Sequence, residues 1–404
     1  ERIEVLEEVQ PFFQNLMRLF VSVGNEEEAL LIAEKSKARA FSDLLAARLA
    51  PNEVVVAATE PTTQQVQEIA RTQNATLVEY TIICEDNQTS EVCEADRATK
   101  LFIWVVKPTG EIEFQQVSLR SLTRQNMSLG DLIYNTRTAI GQQLVNSEIT
   151  DPSSDLRHLY QVLIQPISHL LPSDPDSHVI FVPNRELLLV PFSALIDNGG
   201  NYLIEKHTIS FAPSIQVLDS TSQLRQRNAG VATGVLAVGN PTVPSESDQQ
   251  SDAPLPSLIA WEQGARDIAK QFNTQALIGE EATKANVLRL MPQSRIIHLA
   301  AHAGFDDSQG LNSWIALAAS GNDNGRLTAG ELFDLYAPPD GRALHAELIV
   351  LAACDTGRGQ ITGDGVIGLS RSLIAAGIPS VIVSQWTVPE NPTIFLMKKF
   401  YTHL

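Results

Sequence analysis

The chain has 404 residues, 44% hydrophobic and 19% charged, enough for two or three domains with ordinary buried cores. Its formal net charge of −18 at pH 7 would repel phosphate backbones and anionic lipid, which bind proteins mainly through Lys and Arg, so neither nucleic acid nor a membrane is an expected partner. No apolar run reaches the roughly 18 residues that span a bilayer, and no charged-then-apolar leader opens a chain that starts at Glu1 and stops at Leu404 as a fragment would.

Residues 1 to 50 read as two helices, the first with Leu6, Val9, Phe13, Leu16 and Phe20 at helical spacing. A Gly-containing turn at 23–30 leads into the second, whose Ala29, Ala33 and Ala38 allow close packing. This resembles one tetratricopeptide repeat, and one repeat cannot bury its own faces. Further repeats upstream, or docking on the domain that follows, are the expected remedies; a plain helical hairpin is the alternative.

From residue 75 the period becomes that of strands: 75–83, 101–106 and 111–117, the last two joined by Lys-Pro-Thr-Gly as a tight hairpin. Helical patterns at 129–145 and 155–171 precede strand-like runs at 179–183, 187–191 and 235–238. The stretch 241–256, rich in Pro, Ser, Asp and Gln, reads as an exposed flexible loop. A helix at 261–272 follows, then two strands that end near His302 and Cys354, a helix at 366–376 and a strand at 380–384. Strands alternating with helices argue for an α/β fold, with a mainly parallel sheet flanked by helices.

Cys84, Cys93 and Cys354 are an odd set, which does not suggest a disulfide framework and favours a reducing, cytoplasmic setting. Cys84 and Cys93 flank a polar stretch and would pair across a hairpin only in an oxidising compartment. The glycosylation-type triplets at Asn74, Asn87 and Asn126 are short enough to be chance.

His302 lies in Arg-Ile-Ile-His-Leu-Ala-Ala-His-Ala-Gly (295–304), and Cys354 in Glu-Leu-Ile-Val-Leu-Ala-Ala-Cys-Asp-Thr-Gly (347–357). Each sits where an apolar, β-branched run gives way to Gly and Asp, at the exit of a buried strand. If the two strands are parallel neighbours, both side chains emerge at the carboxyl edge, where open α/β sheets carry their sites. A free cysteine at neutral pH is only a few per cent thiolate, so it needs a base or cation beside it, and an imidazole serves as either. Acyl transfer also needs backbone N–H groups aimed at the oxyanion; those of Ala303 and Cys354 are the candidates, with small neighbours Gly304 and Ala353.

These two runs, with Gly-Asp-Gly-Val-Ile-Gly-Leu-Ser (363–370), resemble the CHAT peptidases, caspase-like domains associated with tetratricopeptide repeats. The runs 179–192 and 202–214 are similar to the first half of that domain, so the resemblance covers 75–404. It implies a pseudo-caspase half at 75–240 and an active half at 257–404, preceded by the repeat-like helical hairpin within 1–60. Separases and caspases are more distant relatives that share the order histidine, then cysteine. The 52 residues from His302 to Cys354 match the caspase-type gap of about 50.

The resemblance implies a cysteine endopeptidase that hydrolyses peptide bonds of a protein substrate, with His302 as base, Cys354 as nucleophile and no cofactor. A regulatory protein bound to the N-terminal helices is the other expected partner. The family usually has Gly directly after the histidine, where this chain has Ala303. Its methyl group leaves the N–H donor in place but would crowd it if the backbone needed a positive φ. In separase-like relatives an acidic residue, shortly after the strand that follows the cysteine helix, receives a basic P1 side chain. The matching region, 384–392, makes Glu390 the candidate and Asp355 the second, since a carboxylate there would pair with Arg or Lys. Glu390 reads equally as a solvated loop carboxylate or a cap for a helix beginning near Thr393.

His298 and His302, with Cys354 or Asp307, would make a zinc set, but four-residue His spacing suits a helix and no Glu stands between them as in the zinc proteases. No metal is expected, and His298 reads as a core histidine. Asp364 reads as a helix cap, and Trp386 as a P1-pocket wall or a cover for the sheet. Two rival functions use the same residues: a protease-like scaffold acting through its helices, and a thiol acyltransferase that passes the acyl group to an amine.

Overall fold

All nine residues of strand β1 (Ala75–Ile83) are buried, as befits a β-branched, apolar run in the middle of a sheet. The computed structural model describes residues 2–37, 39–50, 60–84, 93–145, 151–243, 256–337, 343–354, 356–362 and 365–404. The expected loop at 241–256 therefore falls largely outside the described residues, as do Ala38, Asp355 and Asp364. The chain divides into two units, the first mainly before Ser220 and the second mainly after Thr221.

Ahead of β1 come α1 (Arg2–Ser22), α2 (Glu26–Ser36), α3 (Arg39–Leu49) and α4 (Thr63–Gln73). After it come β2 (Lys100–Val106), β3 (Ile112–Ser118), α5 (Arg120–Arg124), α6 (Leu129–Val145), α7 (Ser153–Leu163), β4 (His178–Val182), β5 (Thr208–Phe211) and α8 (Ile215–Asn228). The first sheet has the order β3-β2-β1-β4-β5. Its β1-β2-β3 part is antiparallel, β4 joins β1 in parallel after α5, α6 and α7, and β5 joins β4 in parallel after a run of 3-10 turns.

The N-terminal helices dock on this sheet: Met17, Ala29, Leu30 and Ala33 share one core with Leu77, Trp104 and Ile180. The repeat-like pair thus buries its inner face on its own unit. The second helix expected up to residue 50 is instead α2 and α3. Lys37 leaves α2 in extended conformation, and its buried Nζ lies 3.0 Å from Glu79 Oε1 on β1. Cys84 and Cys93 are disulfide-bonded with Cα atoms 5.7 Å apart, which corrects the expectation of unpaired thiols. The antiparallel β1–β2 pairing brings the end of one strand to the approach of the other.

The second unit is built on five parallel strands in the order β15-β12-β8-β6-β7. These are β6 (Gly234–Pro241), β7 (Leu277–Gly279), β8 (Ser294–Ala300), β12 (Leu348–Leu351) and β15 (Val381–Ile382). Ile296 and Ala300 of β8 pack with α9 (Ile259–Gln271) and α13 (Glu390–Thr402). Ile297 and Leu299 pack with α10 (Lys284–Leu290), α11 (Ala329–Tyr336) and α12 (Leu369–Ala375). Both faces are apolar, which is why the strands read as continuous hydrophobic runs rather than alternating ones. A small antiparallel sheet of β9 (Ala303–Gly304), β10 (Trp314–Ala316) and β11 (Arg326–Thr328) leaves the end of β8. Strands β13 (Gln360–Thr362) and β14 (Gly365–Ile367) precede α12.

Four expected elements are corrected. The run 187–191 is not a strand but part of a 3-10 turn, Arg185–Leu189, entered through Arg185 at φ 51°. The pattern 155–171 stops as an α-helix at Leu163, because Pro166 cannot continue the ladder. The helix expected from 366 begins at Leu369, after β14, and the last helix begins at Glu390 rather than Thr393. Among the described residues no helix is long and apolar enough to cross a membrane.

Candidate active site

Strands β8 and β12 are hydrogen-bonded parallel neighbours whose last register pair is Leu299 with Leu351. His302 and Cys354 each stand three residues beyond that pair, on the loops that leave two adjacent strands of the sheet. Ala352 N–H donates to Leu299 O at 2.9 Å, carrying the ladder one step past β12 toward Cys354. The equal offset is what a dyad needs. Its source is plain in the sequence: two apolar runs whose residues pair 52 apart, each followed by small residues.

The turn around Cys354 is fastened to the exit of the next strand, β15. Gly357 N–H donates to Ser384 O at 2.8 Å, and Ser384 N–H to Thr356 Oγ1 at 3.1 Å. Thr356 Oγ1 donates back to Leu351 O at 3.2 Å, and Ser384 Oγ to Ala353 O. Cys354 itself is partly exposed and outside the disulfide.

His302 Nε2 lies 2.8 Å from the carbonyl oxygen of Pro256, just ahead of α9. A carbonyl only accepts, so Nε2 carries the proton and Nδ1 is the basic nitrogen of the neutral ring. The backbone carbonyl of His302 accepts from Ala316 N–H at 2.8 Å, which ties the residue to β10. That bond also defines the pair beside it. Ala303 opposite Ile315 is a non-hydrogen-bonded pair, so Ala303 directs its N–H away from β10, off the edge of the small sheet. Ala303 belongs to an extended strand and is not among the residues with positive φ, so its methyl group meets no backbone conformation that only Gly accepts. Gly304 is the position that needs to be small: a Cβ there would stand 2.5 Å from the ring of Trp314, which Arg326 stacks on at 4.4 Å.

The segment after His302 is shaped by Asp306, which accepts from the N–H groups of Gln309 at 2.8 Å and Ser308 at 2.9 Å. Those bonds, that of Gln309 first, hold its carboxyl down at about 2. Asp307, imagined as a metal ligand, instead takes Arg358 at 2.9 Å. Glu390 is the first residue of α13, partly exposed, where a helix N-terminus favours a carboxylate. It follows the β15 exit, six residues after the Ser384 that holds the Cys354 turn. Asp355 lies outside the described residues. His298 is fully buried, with Nδ1 3.1 Å from Tyr401 Oη, and burial lowers its pKa to about 4. Among the described residues no group of three or more His, Cys, Asp or Glu is arranged to hold a metal.

No motif in the sequence marks Pro256, Thr356, Ser384 or Arg358 as neighbours of the dyad. A backbone carbonyl has no residue signature, and Ser384 belongs to a strand exit whose partner lies 31 residues upstream at Ala353.

A family model of the CHAT domain matches residues 153–404. The chain belongs to the CHAT family. The parallel sheet between helical layers is the caspase-like architecture of that family. Tetratricopeptide repeat protein 28 of Mus musculus is 24% identical over 529 residues, covering 97% of this chain and 21% of that protein. The protein of the same name from Homo sapiens is also 24% identical, covering 97% of this chain and 20% of its own length. The chain thus spans about a fifth of the length of the curated relatives it matches.

Proposed function

We propose that this CHAT chain is a cysteine endopeptidase, with Cys354 as nucleophile and His302 as general base. The observation that carries the reading is the equal standing of the two residues at the ends of adjacent parallel strands. In that arrangement His302 Nδ1 takes the thiol proton, and the thiolate attacks the scissile carbonyl carbon to form a C–S bond. The N–H groups of Ala303 and Cys354 steady the oxyanion. The C–N bond then breaks, the imidazolium protonates the leaving amine, and water releases the acyl group. The Pro256 carbonyl stabilises the imidazolium through Nε2–H. Glu390, at the N-terminus of α13, is the candidate for receiving a basic P1 side chain, with Asp355 second. The Cys84–Cys93 bond favours an oxidising compartment over the cytoplasmic setting that the odd cysteine count suggests.

The matched relatives are named for tetratricopeptide repeats. That supports a protein partner on α1 and α2 as the regulator, and it also favours the rival reading of a scaffold acting through its helices. Labelling with an electrophilic peptide probe separates the two. Cys354→Ala and His302→Ala are each expected to abolish labelling and cleavage; a Cys354→Ala chain that retains its biological effect would establish the scaffold instead. Peptide-library profiling that shows cleavage after acidic or apolar residues would reject the P1 role of Glu390.

A further inference from the structure

Asn240 lies near the end of β6, the strand next to β8 on the side away from β12, in a left-handed backbone conformation with φ 48°. Its side chain reaches across to the start of α9. Oδ1 accepts from Leu258 N–H at 2.8 Å and from Ser257 Oγ at 3.4 Å, and Nδ2 donates to Glu262 Oε2 at 3.3 Å. Leu258 is the N-cap of α9 and has no side-chain oxygen with which to cap, so the path of the chain into this helix is held from β6 rather than locally. The approach is close by design of the sequence: a Cβ on Gly239 would stand 2.8 Å from Trp261 O and 2.6 Å from Ala265 Cβ. Pro256, whose carbonyl takes His302 Nε2–H at 2.8 Å, immediately precedes the two residues Asn240 grips.

We propose that Asn240 is a positioning residue for His302, fixing the Pro256 carbonyl through Ser257 and Leu258 so that Nε2 keeps its proton and Nδ1 faces the thiol as base. The inference rests on the His302–Cys354 reading above. It extends the site to a third strand end, since β6, β8 and β12 are consecutive in the sheet. Asn also suits the position twice over, as a residue that tolerates the left-handed conformation and as one that carries both an acceptor and a donor.

The test is the rate of alkylation of Cys354 by iodoacetamide at neutral pH, followed by peptide mass mapping on the full chain. Wild type is compared with His302→Ala, Asn240→Gly and Asn240→Asp. Glycine keeps the left-handed backbone and removes the side chain; aspartate keeps the acceptor for Leu258 and Ser257 and is combined with Glu262→Gln, so that an amide rather than a carboxylate faces the new carboxylate. Asn240→Gly is expected to slow alkylation about three- to tenfold, the effect of one hydrogen bond's worth of lost orientation. Asn240→Asp is expected to stay within roughly twofold of wild type, because it retains the same acceptor. Wild-type alkylation of Asn240→Gly alongside slowed His302→Ala would overturn the role of Asn240 and leave the dyad standing, as would equal slowing by Gly and Asp. Wild-type alkylation of His302→Ala would overturn both.

Discussion

Arg358 Nη2 lies 2.9 Å from Asp307 Oδ2, and its guanidinium carbon sits 3.6 Å from the centre of the Phe305 ring, so the segment after Cys354 is fastened to the segment after His302. Asp307 is 58% exposed, and such an ion pair contributes at most about 1 kcal/mol to stability. The stacking on Phe305 adds about 0.5–1 kcal/mol. The larger consequence is geometric, because a displacement of about 1 Å at a reacting pair can lower a rate a hundredfold.

Arg358→Ala is therefore expected to lower kcat/KM about tenfold while lowering the thermal midpoint by only a few degrees. Arg358→Lys keeps the charge but not the flat stacking surface, and should fall between the two. Asp307→Asn removes only the ion pair and should cost least. Steady-state cleavage of a fluorogenic peptide, with thermal unfolding in parallel, measures all three. Full activity in Arg358→Ala would show that the two segments hold their places without the clamp.

Much of this arrangement was legible in the sequence, and the reasons are local. Strand β1 begins and ends where its β-branched run does because burial and pattern agree there, and α6 spans its apolar period. The strands ahead of His302 and Cys354 were legible because both faces of a parallel sheet demand apolar residues. Leu187–Leu189 misled for the complementary reason: a short apolar run between Pro183 and Pro191 has no period of its own, and the left-handed turn at Arg185 decides its path. The small sheet β9–β11 carries only two or three residues per strand, too few for alternation to register. Asn240 and Pro256 act across 18 and 46 residues, through a side chain and a carbonyl, and only the fold brings such partners together.

His298 sets an acid limit on stability. Its folded pKa of about 4 lies below the ordinary 6.5, because burial against Tyr401 disfavours the charged ring. Below pH 6.5 the unfolded chain binds the proton first, so stability falls as the pH drops from 6.5 toward 4 and is intact above 6.5. The loss across that window is roughly 3 kcal/mol. His298→Leu combined with Tyr401→Phe removes the titrating ring without stranding the hydroxyl. Urea unfolding of this variant at a series of pH values should give a flatter profile between 4 and 6.5; the wild-type slope persisting there would assign the acid sensitivity to other groups.

The Cys84–Cys93 bond closes a loop of sequence separation 9, for which chain-entropy arguments give about 2–3 kcal/mol. Dithiothreitol, or Cys84→Ser with Cys93→Ser, should lower the thermal midpoint by that equivalent and leave alkylation of Cys354 unchanged. Non-reducing peptide mapping should join the two cysteines in protein prepared under oxidising conditions. Two separate thiols in that preparation would refute the bond. In a reducing cytosol the same chain would forgo this stabilisation.

Lys37 and Glu79, 2% and 0% exposed in their side chains, form a buried ion pair that joins the exit of α2 to β1. Burial first, and then the carboxylate of Glu34, push the pKa of Glu79 up, with Lys37 opposing. Glu34 is itself committed, accepting from the N–H groups of Ile215 at 3.0 Å and Gln216 at 3.1 Å at the start of α8. Lys37→Met leaves Glu79 without its counter-charge and should cost about 3–5 kcal/mol at neutral pH. Because Glu79 then folds with a pKa raised above its unfolded value, the variant is least impaired in acid and loses stability as the pH rises through the raised value. Lys37→Met with Glu79→Leu replaces the pair by apolar groups and should recover most of the loss and abolish that pH dependence. Urea unfolding at pH 5 and pH 8 measures both effects; a Lys37→Met chain as stable as wild type at each pH would mean that Glu79 is already protonated in the native fold.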